Sequence, residues 1–140
     1  MIIYPMVSHE YANRLASDAL VWMNERGQPE KGFGLLQQAW YYSPGDGEIA
    51  LQLTQGYFQQ GRMEEAAYYA GVLVEQGYPS ERKALRVALV CALELGRYDE
   101  ALGICERYNA LGLEDETILE VERRLRSGDR VEELKGLFAR

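Results

Sequence analysis

Residues 61–67 read GRMEEAA, and residues 96–102 read GRYDEAL thirty-five positions later. A looser copy, GQPEKGF, occupies residues 27–33, thirty-four positions before the first stretch. Self-similarity at a fixed period of this length is typical of repeat proteins built from pairs of helices. One pair cannot bury its own apolar side, so neighbouring pairs stack into a shared core and leave a long curved surface. The period therefore predicts an all-α chain and favours binding as its kind of function.

Capping residues and helix breakers predict the helix boundaries. Ser8 is predicted to cap a first helix that runs to Arg26 and ends at Gly27. Pro29 is predicted in the first turn of a second helix, which runs to Trp40. Proline is tolerated there because the N–H that it lacks would have no partner within the helix. Residues 43–47, SPGDG, end that helix. The remaining predicted helices run from Glu48 to Gln60, from Gly61 to Gly77, from the N-cap Ser80 to Leu95, and from Gly96 to Ala110.

The last 26 residues predict a degenerate fourth pair. Residues 116–126 read as a helix, residues 127–129 as a turn, and residues 131–138 as a short last helix. The turn motif returns at residues 128–134, GDRVEEL, but Glu133 stands where Ala66 and Ala101 stood. Terminal units of such arrays are usually atypical because one side faces water. We predict a single domain over residues 1–140, with repeats at about 13–46, 47–81 and 82–114 and a capping hairpin at 115–140.

The composition excludes several classes of partner. A formal net charge of −7 and a pI near 4.8 would repel a nucleic-acid backbone and an anionic membrane surface. Residues 1–7 lack a basic segment and are interrupted by Pro5, so a signal peptide is not expected. No apolar run is long enough to span a membrane. The predicted location is the cytoplasm.

The aromatic residues are distributed unevenly. Residues 1–70 hold 11 of the 15 aromatic residues but only 12 of the 37 charged ones. This asymmetry indicates a contact face in the first half. Tyr41 and Tyr68 recur at nearly the repeat period and are predicted to point outward, as a possible interface with a partner or a second copy. Ordinary packing between neighbouring repeats explains the recurrence equally well.

Small residues recur where the two helices of a pair are predicted to cross, at Gly32, Ala66 and Ala101. Together with the turn glycines Gly27, Gly61 and Gly96, they resemble the tetratricopeptide repeat family over about residues 13–113. The resemblance implies a right-handed superhelix of antiparallel helix pairs, with three such hairpins followed by the capping hairpin. Leu73 and Tyr108 exceed the usual small residue and Pro79 is displaced by one position, which predicts irregular packing between repeats.

In the resembled fold, the first helix of each pair lines a concave groove. The apolar groove with polar edges that results here suits an extended peptide or a helix. Family members that hold a C-terminal carboxylate use a clamp of Lys, Asn and Arg, but the matching positions carry Ser17, Val21, Leu51 and Gln55, so tails of heat-shock chaperones are disfavoured. The resemblance places in the groove Val21, Asn24, Leu51, Gln55, Phe58, Arg86, Val90 and Leu93, together with Arg14, Ser17 and Lys83.

Three tandem repeats, a short N-terminal segment, small size and low pI are similar to the small acidic chaperones of bacterial type III secretion. That similarity implies a cytosolic chaperone that sequesters a secreted or apparatus subunit in its groove. The alternative is a generic scaffold or adaptor that mediates protein assembly or homodimerisation. The partner is therefore expected to be a protein or peptide.

No residue pattern predicts catalysis or a cofactor. Cys91 and Cys105 belong to no metal-binding or redox motif and read as buried small hydrophobes. His9 is the single histidine and is expected to be exposed near a helix start. Carboxylate pairs recur with the repeat in first turns of helices, where negative charge favours the helix dipole. Arg123, Arg124 and Arg126 are flanked by acidic residues and predict a solvated face. The chain is thus predicted to be neither an enzyme nor a metal protein.

Overall fold

A computed structural model describes the backbone of residues 5–128 and the side chains from residue 8 onward. This part of the chain contains helices and no strand, which confirms the predicted all-α class. Residues 129–140, with the predicted last helix and Glu133, lie outside the described residues. The helices are α1 (Pro5–Leu20), α2 (Pro29–Tyr42), α3 (Gly47–Gln59), α4 (Met63–Gln76), α5 (Glu81–Glu94), α6 (Tyr98–Asn109) and α7 (Glu116–Ser127).

The repeated motif GR forms the same turn twice. Gly61 and Gly96 adopt positive φ angles of 76° and 72°, in the left-handed region that favours glycine. In each turn the following arginine N–H donates 2.9 Å back to a carbonyl of the first helix: Arg62 to Tyr57, and Arg97 to Ala92. These turns have three residues, and the connections from α2 to α3 and from α4 to α5 have four, so these neighbouring helices run antiparallel.

Polar side chains cap the first helix of each later pair. Asp46 accepts from the Glu48 N–H at 3.0 Å, and the predicted cap Ser80 accepts from the Lys83 N–H at 3.2 Å. Asp115 caps α7 in the same way, accepting from the Thr117 N–H at 3.0 Å. The second helices instead carry acidic pairs in their first turns, as predicted: Glu64 and Glu65 in α4, and Asp99 and Glu100 in α6.

The first helix differs from its predicted course at both ends. The described part of the helix is Pro5–Leu20, so Ser8 lies inside the helix and does not cap it. After Leu20 the chain widens into a π-helical turn over Val21–Glu25. In this turn the Trp22 ring lies 4.4 Å from the Arg26 guanidinium carbon and 3.6 Å from the Lys31 Nζ. The π-helical turn displaces the residues that follow it by one position relative to a continuous α-helix.

The core forms where successive helices pack. The residues predicted at the helix crossings, Gly32, Ala66 and Ala101, are all buried. At Gly32 the approach is tight, because a Cβ atom there would lie 2.6 Å from the Ala19 carbonyl oxygen. One core cluster unites α1 to α4 and includes Cys91 of α5, a second unites α5 to α7, and Ala50, Leu73 and Ala84 connect the second pair to α5. The superhelical handedness and the repeat boundaries stay predictions.

Aromatic rings join the first helix pair to the second. Phe33 meets Tyr57 edge to face at 4.6 Å between ring centroids, and Trp40 meets Tyr69 in the same way at 5.1 Å. Tyr57 and Tyr69 stack at 5.6 Å, and the Gln37 amide donates to the Tyr57 hydroxyl at 3.0 Å. Such pairs stabilise beyond the area that they bury. Packing between neighbouring repeats therefore accounts for part of the aromatic excess in the first half.

Candidate functional site

A cavity of about 420 Å³ lies between α3 and α5. It brings together three residues predicted to line the groove, Gln55, Phe58 and Val90. Phe58 is 36% exposed, which is high for a phenylalanine and leaves its ring available for contact. No lining residue is charged. We call this site the α3–α5 cavity; its lining residues are Thr54, Gln55, Phe58, Gln59, Val87 and Val90.

Three residues of the α3–α5 cavity were missed by the sequence reasoning. Thr54 is buried and donates its hydroxyl to the Ala50 carbonyl at 2.7 Å, so that hydroxyl is already satisfied. Gln59 directly follows the predicted residue Phe58, and Val87 lies about one helical turn before the predicted residue Val90. Helical spacing to Val90 was the available signal for Val87, since residues three apart share a face.

A smaller cavity of about 200 Å³ lies between α1 and α3. Ser17, which the resemblance placed in the groove, is part of its wall. The cavity is more polar than its neighbour, and both of its charged residues, Asp46 and Glu48, are acidic. We call this site the α1–α3 cavity; its lining residues are Asn13, Ala16, Ser17, Leu20, Asp46, Glu48, Ile49 and Gln52.

The other predicted groove residues have different environments. Val21 is half-buried and Asn24 is exposed, both within the π-helical turn, and neither lines the two cavities. Leu51 is half-buried and packs against the cluster of Ala50, Leu73 and Ala84. A polar substitution at Leu51 would therefore disturb the core as well as the surface.

The placement of Leu93 in the groove is wrong. Its side chain is only 1% exposed and belongs to the core cluster that contains Ile118 and Val121 of α7. The repeat period aligns Leu93 with Phe58, thirty-five residues earlier, but Leu93 is enclosed in a core cluster that α5 shares with α6 and α7.

Arg86 contributes to the structure at the C-terminal end of the groove. Its guanidinium lies 2.5 Å from the Asp115 carboxylate, which also accepts a hydrogen bond of 3.1 Å from the Tyr108 hydroxyl. Burial opposes ionisation of Asp115, but hydrogen bonds from the Ile118 N–H and from Tyr108, with the charge of Arg86, outweigh it and lower the pKa of this carboxyl. The network ties α7 to α5 and α6.

Among the described residues, no group of three His, Cys, Asp or Glu side chains could hold a metal ion. Burial raises the pKa of Cys91 to about 11 and that of Cys105 to about 12, so both free thiols are protonated at neutral pH. His9 is exposed, as predicted, and its Nδ1 lies 3.3 Å from the Ser43 hydroxyl.

The tyrosines predicted to point outward do so. Tyr41 is 79% exposed and Tyr68 is 64% exposed. Tyr69, the neighbour of Tyr68, turns inward against Trp40. Tyr42, the neighbour of Tyr41, stays 41% exposed and contacts Tyr11 edge to face at 4.8 Å. An exposed tyrosine surface therefore remains on the first two helix pairs after the internal aromatic contacts are made.

The basic stretch in α7 is neutralised locally. Arg123 and Arg124 both contact Glu120 at 2.7 Å, and Arg126 contacts Glu106 at 2.9 Å and Glu122 at 3.0 Å. This pairing agrees with the predicted solvated face. In the part of the chain that the structure covers, no helix is both long and apolar enough to cross a membrane.

No protein-family model matches the chain, and neither does any curated protein. Among solved structures, the first TPR of Spaghetti (RPAP3) bound to the HSP90 peptide SRMEEVD is similar, with a TM-score of 0.62. The match covers 86% of this chain and 96% of that chain at 15% sequence identity. The chain has a tetratricopeptide-like fold. The identity is too low for the match to show more than the fold.

Proposed function

We propose that this tetratricopeptide-like chain is a protein-binding module that holds a segment of a partner protein along α1, α3 and α5. The α3–α5 cavity carries the proposal. Phe58, Val87 and Val90 present an apolar floor, and the amides of Gln55 and Gln59 flank it. Apolar side chains would bury in the floor, while amides both donate to and accept from a peptide backbone. The volume lies in the range of about 300–1,000 Å³ that is common for ligand sites.

The structural neighbour supports a peptide as the partner, because it was solved with a peptide bound. Its ligand class does not transfer to this chain. The positions that match the clamp of Lys, Asn and Arg carry Ser17, Val21, Leu51 and Gln55, so the cations are missing and only Gln55 offers an amide donor. A segment with a different chemistry from an acidic C-terminal tail is therefore proposed.

The narrower form of the proposal is a cytoplasmic chaperone for a secreted or apparatus subunit of a type III secretion system. The supporting features are the small acidic chain, the tetratricopeptide-like helix pairs and an uncharged cavity that could shield a hydrophobic client segment. The resemblance in sequence alone carries this narrower form.

The test uses substitutions that leave the core intact. Phe58→Asp and Val90→Asp place a charge in the α3–α5 cavity at exposed or half-exposed positions, and Tyr41→Ala is the matched surface control. Wild-type protein purified from its source cells should carry a stoichiometric partner, identified by mass spectrometry and sized by light scattering. Both cavity variants should lose it while circular dichroism stays unchanged. Retention of the partner by both variants would refute binding at this site.

The exposed tyrosines favour a second candidate, a scaffold that assembles or dimerises through Tyr41 and Tyr68. Tyrosine is enriched at protein interfaces, and these two side chains are the most exposed large hydrophobic residues of the described chain. The same purification distinguishes the candidates. A scaffold would lose its assembly in the double variant Tyr41→Ala/Tyr68→Ala and keep it in Phe58→Asp, which is the reverse of the pattern expected for groove binding.

A further inference from the structure

A cavity of about 530 Å³ borders α3 on the side that faces α2. Its floor is apolar. Gly56 of α3 leaves room for the Phe33 ring, because a Cβ atom at Gly56 would lie 2.8 Å from two carbons of that ring. Met23 of the π-helical turn and Pro29 at the start of α2 complete the apolar wall. We call this site the α2–α3 cavity; its remaining lining residues are Glu30, Gln59 and Gln60.

The α2–α3 cavity adjoins the α3–α5 cavity across α3. Gln59 lines both cavities, so its exposed side chain forms the ridge between them. The α3 residues of the two cavities are centred about two positions apart, or about 3 Å along the helix axis. One spacing between packed helices, about 9 Å, separates the cavities sideways. The direct distance between the two cavities is then about 10 Å.

The surface between the two cavities favours a helix over an extended segment. The walls consist of side chains on helices, whose backbone groups are paired within the helices. An extended segment presents an N–H and a C=O at every residue, but it would meet only the side-chain amides of Gln55, Gln59 and Gln60. A helix pairs its own backbone groups and buries only side chains. Seven residues of helix rise about 10 Å and return to the same face, so residues seven positions apart match the two cavities.

Charge restricts the partner further. Among the described residues that line the two cavities, Glu30 is the one that carries a charge. Its side chain is exposed, and the whole chain has a formal net charge of −7. Both features repel an acidic segment. The partner helix is therefore expected to have an apolar docking face and few acidic residues.

We propose that the partner segment docks as a helix with two large apolar side chains seven positions apart, one in the α3–α5 cavity and one in the α2–α3 cavity. The inference rests on the proposed function and names the form of its ligand. We call these two side chains of the partner the anchors. The residues three and four positions after the first anchor share its face and lie over Gln59, so small or polar side chains fit there.

A phage-displayed library of random sixteen-residue peptides tests the inference, with the wild-type protein and Val90→Asp panned in parallel. The wild type should enrich peptides in which two residues among Leu, Ile, Met, Phe and Trp stand seven positions apart, and these peptides should be poor in Asp and Glu. The best peptide is then synthesised, and its affinity is measured by fluorescence anisotropy. Pro29→Asp should weaken the affinity about tenfold, because it places a charge where one large apolar anchor is buried.

Pro44→Asp is the matched control, since Pro44 is also an exposed proline and lies outside both cavities. It should leave the affinity unchanged. The helix dipole favours negative charge in the first turn of α2, so Pro29→Asp should also leave the circular dichroism of the protein unchanged.

Replacing each anchor of the peptide by alanine shows which cavity holds it. One replacement should weaken binding to the wild type about tenfold and weaken binding to Pro29→Asp little further, because both changes remove the same contact. The other replacement should be additive with Pro29→Asp. Inserting one residue between the anchors turns the second anchor by about 100° and should also weaken binding about tenfold.

The remaining outcomes separate the inference from the proposed function. Enrichment of peptides with a single apolar anchor, whose affinity Pro29→Asp does not change, would overturn the inference and leave binding at the α3–α5 cavity standing. Anchors three positions apart without one at seven would overturn it as well, since about three residues of extended chain span 10 Å. If the wild type enriches nothing beyond what Val90→Asp enriches, both the inference and the proposed binding site fail.

Discussion

Replacing Gly32 by alanine should destabilise the protein, although alanine is the better helix former. Gly32 is buried in α2, where that helix crosses α1. A Cβ atom at this position would lie 2.6 Å from the Ala19 carbonyl oxygen and would overlap the Met23 side chain. Met23 can move, but the carbonyl belongs to the backbone of α1. The two helices would have to separate to admit one methyl group.

The magnitude follows from two opposing effects. Exchanging glycine for alanine in a helix interior stabilises by about 1 kcal/mol. Inserting a methyl into a packed contact costs 1–3 kcal/mol in general, and we expect about 3 kcal/mol where backbone is the obstacle. The net loss in the free energy of unfolding is about 2 kcal/mol. At about 3–4 °C per kcal/mol for a chain of this size, Tm should fall by about 7 °C.

Gly34 provides the control two residues further along α2. A Cβ atom at Gly34 would meet no heavy atom within 4 Å, so Gly34→Ala should keep the gain in helix propensity and raise Tm by about 3 °C. Thermal and urea unfolding followed by circular dichroism at 222 nm measure both variants. A Gly32→Ala protein that melts at or above the wild-type temperature would refute the close helix approach.

Two further predictions concern ionisable groups. Because the pKa of Asp115 is lowered in the folded state, its carboxylate contributes fully above the ordinary value near 4 and loses its contribution as the pH falls through the lowered value. Asp115→Asn keeps a capping side chain but should lower the free energy of unfolding by about 1–2 kcal/mol at pH 7. Urea titrations should show this loss shrinking below about pH 4. A loss that does not change with pH would contradict the network. Burial raises the pKa of Cys91 to about 11 and that of Cys105 to about 12. Both thiols should therefore react with a thiol reagent at about pH 8 only after the protein unfolds. Rapid labelling of the folded protein would show that one of them is accessible.

Features set by local chemistry could be predicted from the sequence. Gly61 and Gly96 mark turns because a positive φ is needed there, and Ser80 caps α5 because its side chain precedes free N–H groups. Gly32 and Ala66 are buried where small size permits a helix crossing. These signals depend on a few neighbouring residues, and the repeat contains them more than once. A single sequence is therefore enough to detect them.

Features that depend on distant packing could not be predicted. The repeat aligns Leu93 with Phe58, but Leu93 is buried in a core cluster that α5 shares with α6 and α7. Nothing in helical periodicity signals the π-helical turn at Val21–Glu25. The α3–α5 cavity was predicted in part, through Gln55, Phe58 and Val90. The role of these residues in binding stays a prediction.

The location of the tryptophans, including Trp40 packed against Tyr69, has a spectroscopic consequence. The chain has two tryptophans, Trp22 and Trp40, and both belong to the first helix pair. Their emission therefore reports on one end of the molecule, whereas far-ultraviolet circular dichroism averages over every helix. In an array whose units contact only their neighbours, an end unit can unfold before the rest. Any difference between the midpoints of the two signals measures how far the array departs from all-or-none unfolding, without a label or a substitution.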